Sequence, residues 1–370
     1  MSLRNLVLLG ATPAHLDVLH WLATHKRADT RVHFVAPETR LYSADMLPGL
    51  VAGRHTAEEC EIALHSLVKA SGAQYHRAQC ASIDARQQTI GVQGREGEMF
   101  DLRYQWLSVG GALLPEGDPV ERAMPGARSH AMFVRPLANF IQLWPRLLEL
   151  GQSQPLNIAL IGGDTAAVEL ALALQGALPR CRVTLVGATS DPPQDAPQPL
   201  RAVTTAWLRQ QGITALPQQC TGVAADHIRL SDGATLACDA PIVLMQPAVC
   251  EWLSQSGLAL DEHGRVRVNA FQQSTSHPSV FAGGELAALA TPAGVAPPVQ
   301  ARTLCANLEA TLADLPLHTA EPARRAWVSI LGGERGALCW GRWCLQGRAL
   351  ARLRDRHDRR RLRLWNSASA

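Results

Sequence analysis

Apolar and polar positions along the chain predict strands and helices in turn. Residues 6 to 10 are an apolar run that reads as a buried strand. Residues 13 to 25 carry Ala14, Val18 and Trp21 at helical spacing, and RVHFVAP (31 to 37) is strand-like again. The pattern returns at NIALIGG (157 to 163), TAAVELALAL (165 to 174) and RVTLVG (182 to 187). Strand–helix–strand order predicts parallel sheets with helices on both faces, and two such starts predict an α/β chain with two doubly wound domains. Short β-like runs fill 104 to 111, 227 to 245 and 265 to 268, and a helix follows from 299. Pro-rich SDPPQDAPQPLR (190 to 201) reads as a surface loop and TPAGVAPP (291 to 298) as an irregular connection.

Composition narrows the class without naming a reaction. The chain has 370 residues, 47% hydrophobic and 18% charged, which describes a folded globular protein of two or three domains. The start of the chain lacks a leader pattern and no window is apolar enough to span a bilayer, so the expectation is a cytoplasmic protein. Nine scattered cysteines without a C-x-x-C suggest small buried side chains. Cys339 and Cys344 in CWGRWC are close enough for a redox dithiol, but neighbouring thiols are the expected reading. All but two of the 35 basic Lys and Arg residues are arginine, and residues 345 to 370 hold eight arginines against two aspartates. A solvated C-terminal helix explains that tail. It also leaves open a protein partner or acidic lipid, while nucleic acid is not expected without stacking aromatic residues. Histidines are dispersed, and His15 and His20 read as surface or core-edge residues. No metal cluster or nucleophilic triad is visible, and no catalytic residue is assigned.

Both glycine turns depart from the G-x-G-x-x-G pattern that brings a backbone close to a diphosphate. The first meets Gly10, Thr12 and His15. Thr12 followed by Pro13 is a strong helix start, a hydroxyl N-cap with proline at N1. The second meets Gly162, Asp164 and Ala167, so an aspartate N-cap stands where the middle glycine belongs. At about 5 Å its carboxylate repels each phosphate charge by roughly 1 to 3 kcal/mol.

Taken with LYSADMLPGLVAG (41 to 53), EECEIAL (58 to 64), VRPLANFIQLW (134 to 144), SGLALDEHGRVRVN (256 to 269) and HPSVFAGGELAAL (277 to 289), the chain resembles the pyridine nucleotide-disulfide oxidoreductase superfamily. Its look is that of the NADH dehydrogenase-like branch, which includes modules attached to selenide, water dikinases. The resemblance implies two Rossmann-like dinucleotide-binding domains, the second inserted in the first. The implied bounds are 1–115 and 263–325 for the FAD-type domain, 116–262 for the NAD(P)-type domain, and 326–370 for a C-terminal segment with a basic helix.

By the same resemblance Gly10, Thr12, Ala14 and Glu38 are the candidate contacts for FAD at the first turn, Glu38 accepting from a ribose hydroxyl. Gly283, Gly284, Glu285 and Gln300 are its candidates at the later landmark, and Gly162, Gly163, Asp164, Thr165 and Ala167 are those for NAD(P)H. The implied activity passes electrons from NAD(P)H through flavin to a small-molecule or protein acceptor such as a quinone, at most with weak peripheral contact at the inner membrane face. Departures from the pattern fall on the nucleotide turns, which equally suits a non-catalytic member kept as a partner subunit or binding protein.

Overall fold

The computed structural model describes residues 3–38, 40–110, 119–244, 251–289, 297–319, 327–330, 335–340 and 343–367. The turns read at 108 to 115 and 243 to 249 and the connection at 291 to 298 fall wholly or partly outside the described residues. So do Cys250 and the side chain of Glu285.

Apolar strands buried on both faces build the two parallel sheets that the sequence pattern predicts. In the first, the order is Val280–Ala282, Trp106–Val109, Arg4–Leu9, Thr30–Val35 and Gln74–His76. The second runs Met132–Phe133, Ala240–Val243, Asn157–Ile161, Arg182–Val186 and Thr214–Leu216. All strands of the second sheet lie in the chain before the last strand of the first, so one sheet is inserted within the other's sequence.

The cover of the sheets differs from the expectation of helices on both faces. One face of the first sheet packs Leu6, Leu8 and Phe34 against the helices Pro13–Thr24, Leu64–Ser71 and Pro297–Leu312. Its other face packs Val7, Leu9 and Val35 against Ile90, Val92 and Leu102 of an antiparallel ribbon, Ala78–Asp84, Thr89–Gly94 and Met99–Arg103. The second sheet repeats this, with Ile161 and Val186 facing Ile228 and Leu230 of the ribbon Cys220–Val223, His227–Leu230 and Thr235–Ala237. Either cover removes the same apolar surface from water, and periodicity alone does not distinguish them.

The C-terminal segment is docked. Three antiparallel strands, Trp327–Ile330, Gly336–Trp340 and Trp343–Gly347, lead into the helix Arg348–Ser367. Cys339 and Cys344, cross-strand neighbours, form a disulfide in place of the separate thiols expected. Arginines on the inner side of the helix pair with acids of the first domain: Arg361 with Asp17 at 2.8 Å, Arg359 with Glu59 at 2.9 Å and Arg354 with Asp45 at 3.6 Å. Trp365, buried, donates its ring N–H to Asp17 at 2.7 Å. Asn366 donates to the Glu61 carbonyl at 3.1 Å and accepts from the Ala63 amide at 2.8 Å. Arg352, Arg356, Arg360 and Arg363 face outward.

Asp17 therefore serves two donors, one on a fully packed ring. Asp17→Ala is expected to lower stability in urea melts by about 1 to 3 kcal/mol, because it strands the indole N–H, whereas the outward Arg352→Ala should cost less than about 0.5 kcal/mol. Equal small effects for the two variants would show that the helix is not held through Asp17.

Candidate functional site

Parallel strand order places both glycine turns at the carboxyl ends of their sheets, beside the point where strand order reverses. In the first sheet that point lies between Arg4–Leu9 and Trp106–Val109. Gly10 follows one strand and Gly110 the other, while Gly283 donates its amide to Val109 O at 3.1 Å and joins the same edge. The strand order thus puts Gly10, Thr12, Ala14, Glu38, Gly283 and Gly284 at the carboxyl edge of one sheet, with Gln300 joined to it through Gln272. Gly162, Gly163, Asp164, Thr165 and Ala167 form a separate group on the second sheet.

At the first turn Thr12 is the N-cap of Pro13–Thr24, its hydroxyl accepting the His15 amide at 3.3 Å. Its methyl reaches across the crevice: a Cβ on Gly110 would stand 2.9 Å from Thr12 Cγ2 and 3.0 Å from His15 Cε1. His15, read as a surface or core-edge residue, is instead fully buried. Its Nδ1 lies 2.6 Å from the Gly10 carbonyl and its Nε2 2.7 Å from Ser108 Oγ. A carbonyl only accepts, so Nδ1 carries the proton and Nε2 accepts from the serine hydroxyl. The sixth template position, usually glycine or alanine, has become a neutral histidine that ties the first strand to its neighbour across the switch point. Burial lowers its pKa to about 4, the Gly10 carbonyl opposing that shift in part.

Glu38, just past the strand Thr30–Val35, is an unsatisfied acid at this edge. Its Oε2 is buried with no hydrogen-bond partner among the described residues, and desolvation raises its pKa. Tyr75 fixes the local backbone by donating its hydroxyl to the Glu38 carbonyl. A buried carboxylate oxygen without a donor costs stability until a donor arrives, which suits it to a ligand hydroxyl. At the later landmark Gly284 has φ +64° with open space around it. Gln272, missed in the sequence, is fully buried beside the neighbouring Gly283. It gives Nε2 to the Gln300 carbonyl at 2.9 Å and leaves Oε1 without a partner among the described residues. No local pattern marks that glutamine, which is held by bonds to Asn269 and Ala282 along the backbone and to Gln300 through its side chain.

The second turn is filled differently. Asp164 is the N-cap of Thr165–Ala177 and its Oδ1 accepts the Ala167 amide at 2.9 Å. Asp195, from the Pro-rich loop, brings Oδ1 to 2.8 Å from the Thr165 amide and 3.0 Å from the Thr165 hydroxyl. Although the residue is exposed, desolvation around its carboxyl raises its pKa, opposed by the Thr165 bonds and reinforced by Asp164. Among the described residues no group of three or more His, Cys, Asp or Glu could hold a metal ion, and no helix is long and apolar enough to cross a membrane.

This pair of sheets with a glycine turn at each switch point matches a family model, pyridine nucleotide-disulphide oxidoreductase, over residues 4–304. The chain belongs to that family. A curated relative, the external alternative NAD(P)H-ubiquinone oxidoreductase B4 of Arabidopsis thaliana mitochondria, is 23% identical over 189 residues, 46% of this chain and 31% of the relative. The match therefore spans about a third of that protein. Among solved structures of the fold, the sulfide:quinone oxidoreductase of Aquifex aeolicus superposes with TM-score 0.76 at 15% identity, covering 99% of this chain and 92% of its own. NDH2 of Plasmodium falciparum, solved in complex with NADH, gives 0.70 at 12% identity, with 98% and 97% covered. Within the family fold the departures here are local: the chain keeps both turns but fills each with its own side chains.

The filled first turn has a measurable cost structure. Replacing His15 by alanine strands the Gly10 carbonyl and the Ser108 hydroxyl and opens a cavity, so a loss of about 2 to 4 kcal/mol at neutral pH is expected in urea melts. Because the folded pKa of His15 is depressed, its contribution is full above about 6.5 and is lost as pH falls towards about 4, by up to about 3 kcal/mol. The gap between wild type and His15→Ala should therefore narrow on acidification through that window. A constant gap would mean that folding leaves the pKa of the ring unshifted.

Proposed function

We propose that the chain is an FAD-dependent oxidoreductase that holds its flavin at the carboxyl edge of the first sheet and passes electrons to a quinone or a protein acceptor. The observation that carries this is Glu38, whose buried carboxylate oxygen lacks a donor at the position where the fold takes a ribose. The names of the Arabidopsis and Aquifex proteins support a quinone as acceptor.

The residues at this edge fit the group. Glu38 would accept from the adenosine ribose, the open turn at Gly284 would admit the chain of the cofactor, and Gln272 Oε1 would meet a hydroxyl. The Ala14 amide remains at the helix start to face a phosphate, since Thr12 takes only the His15 amide and Pro13 has none. When bound, flavin supplies the hydride and single-electron chemistry, and the protein contributes orientation and the exclusion of water. Glu285 and Gln300 remain candidates here by position. NAD(P)H, the donor implied by the family, fits less well, because Asp164 and Asp195 stand on the donors that its diphosphate needs. We place the protein in the cytoplasm, with at most weak membrane contact through the exposed Trp343, Leu345 and outward arginines of the C-terminal segment.

A second reading, a non-catalytic member acting as a partner subunit, is favoured by the self-capped turns at Thr12 and Asp164. Titration of apo protein with FAD separates the two. Flavin binding near one to one, with visible flavin absorbance retained through gel filtration, supports the oxidoreductase, and Glu38→Ala should then weaken FAD by about 10- to 100-fold, the worth of a charged hydrogen bond. A folded wild-type protein that never retains FAD would sink the flavin reading.

A further inference from the structure

We propose that the second dinucleotide domain is closed by its own chain: the loop 188–197 is an internal ligand, and Asp195 occupies the seat where a nicotinamide dinucleotide would place its diphosphate. The inference rests on the family fold and goes beyond the flavin assignment, which concerns the other sheet.

A helix N-terminus offers amides without intrahelical partners, and an anion placed against them gains from both hydrogen bonds and the helix dipole. In Thr165–Ala177 two of the first three amides are already taken, that of Thr165 by Asp195 at 2.8 Å and that of Ala167 by Asp164 at 2.9 Å. Both acceptors are carboxylates, so the positive end of this helix is matched by anionic groups of the protein. An arriving diphosphate must displace hydrogen bonds of its own kind and then sit beside like charge.

Asp195 itself is exposed, but the loop around it is anchored at several points. Gln194 gives its amide to the Gly163 carbonyl at 3.2 Å, which places the loop backbone on the glycine turn itself. A Cβ on Gly163 would stand 2.7 Å from the Gly187 carbonyl oxygen and 2.9 Å from Ala188 Cα. The glycine thus admits the close approach of the protein's own backbone at the start of this loop. Pro192 and Pro193 are buried, and the buried Thr204 hydroxyl donates to the Pro192 carbonyl at 2.6 Å. Pro197 then caps the helix Gln198–Gln210. The loop is anchored on both sides of Asp195 and needs no ligand to complete it. Proline at three of the residues 192 to 197 also limits the conformations into which it could withdraw.

The closure separates the two halves of the molecule. The first-sheet edge keeps Glu38 Oε2 without a donor among the described residues, which a ligand can satisfy, whereas on the second-sheet edge two of the first three helix amides are met by the protein's own carboxylates. A reductant of the flavin would then have to reach it without seating its diphosphate on this helix.

The test is direct binding of NADH and NADPH, followed by titration calorimetry and by hydrogen–deuterium exchange at residues 163–168, on apo and FAD-treated full-length protein. Wild type should show no saturable binding up to millimolar nucleotide, and no change in exchange at 163–168. The double variant Asp164→Gly, Asp195→Ala should bind at least about 10-fold more tightly than wild type, since it frees two amides and removes two like charges. Asp191→Ala, a loop acid 3.5 Å from Arg201, should leave binding as in wild type. Micromolar binding of either nucleotide to wild type, or new protection at 163–168 on its addition, would overturn the proposal. So would a folded double variant that gains nothing. If the double variant does not fold, the exchange measurement on wild type still decides. These outcomes are independent of FAD binding, whose failure would remove the flavin assignment and leave the closure standing.

Discussion

Backbone amides at the start of a helix must be met by something, and the two turns of this protein answer part of that requirement from within. Dinucleotide folds leave such amides for a diphosphate, using glycine to keep side chains away. Here Thr12 takes the His15 amide, Asp164 takes the Ala167 amide and Asp195 takes the Thr165 amide. The substitutions are not equivalent. A hydroxyl cap is neutral and leaves the neighbouring amide in place, so it crowds an anion without repelling it. Two carboxylates repel it as well. The same constraint is met with a neutral hydroxyl at the first turn and with two carboxylates at the second.

His15 and the C-terminal helix extend that constraint into the packing. His15 ties Gly10 to Ser108 across the switch point of the first sheet, fixing the turn from behind while Thr12 caps it from the front. Asp17, on the same helix, receives Arg361 and Trp365 from the C-terminal segment, so the N-terminal half of this helix is held both to the sheet and to the C-terminal segment. The basic tail is in large part a docking device for acids of the first domain. Its remaining outward arginines are available to solvent or to an acidic surface.

Much of the fold was legible in the sequence because it rests on local apolar runs. The strands near 6 to 10 and 157 to 163, the helices after them and the two parallel sheets follow from periodicity, and the caps at Thr12 and Asp164 follow from residue type. What escaped is contact over sequence distance. Asp195 meets Thr165 across a separation of 30 residues, and a Pro-rich stretch with two aspartates looks like any exposed loop until its place above the turn is known. His15 meets Ser108 across 93 residues, and a histidine on an amphipathic helix carries no mark of burial. Arg361 meets Asp17 across 344, so counting tail charge overstated what the tail offers a partner. The ribbons covering the second face of each sheet were visible as short strands, but nothing local said that they replace helices there.

The central claim is that one nucleotide edge is open and the other is closed by the protein itself. The most direct measurement is a crystal structure grown with FAD and NADH both in excess. The account predicts density for FAD along the first-sheet edge with its ribose on Glu38, and Asp195 still bonded to the Thr165 amide. Ordered NADH with its diphosphate on the start of the helix Thr165–Ala177, and Asp195 displaced, would contradict it.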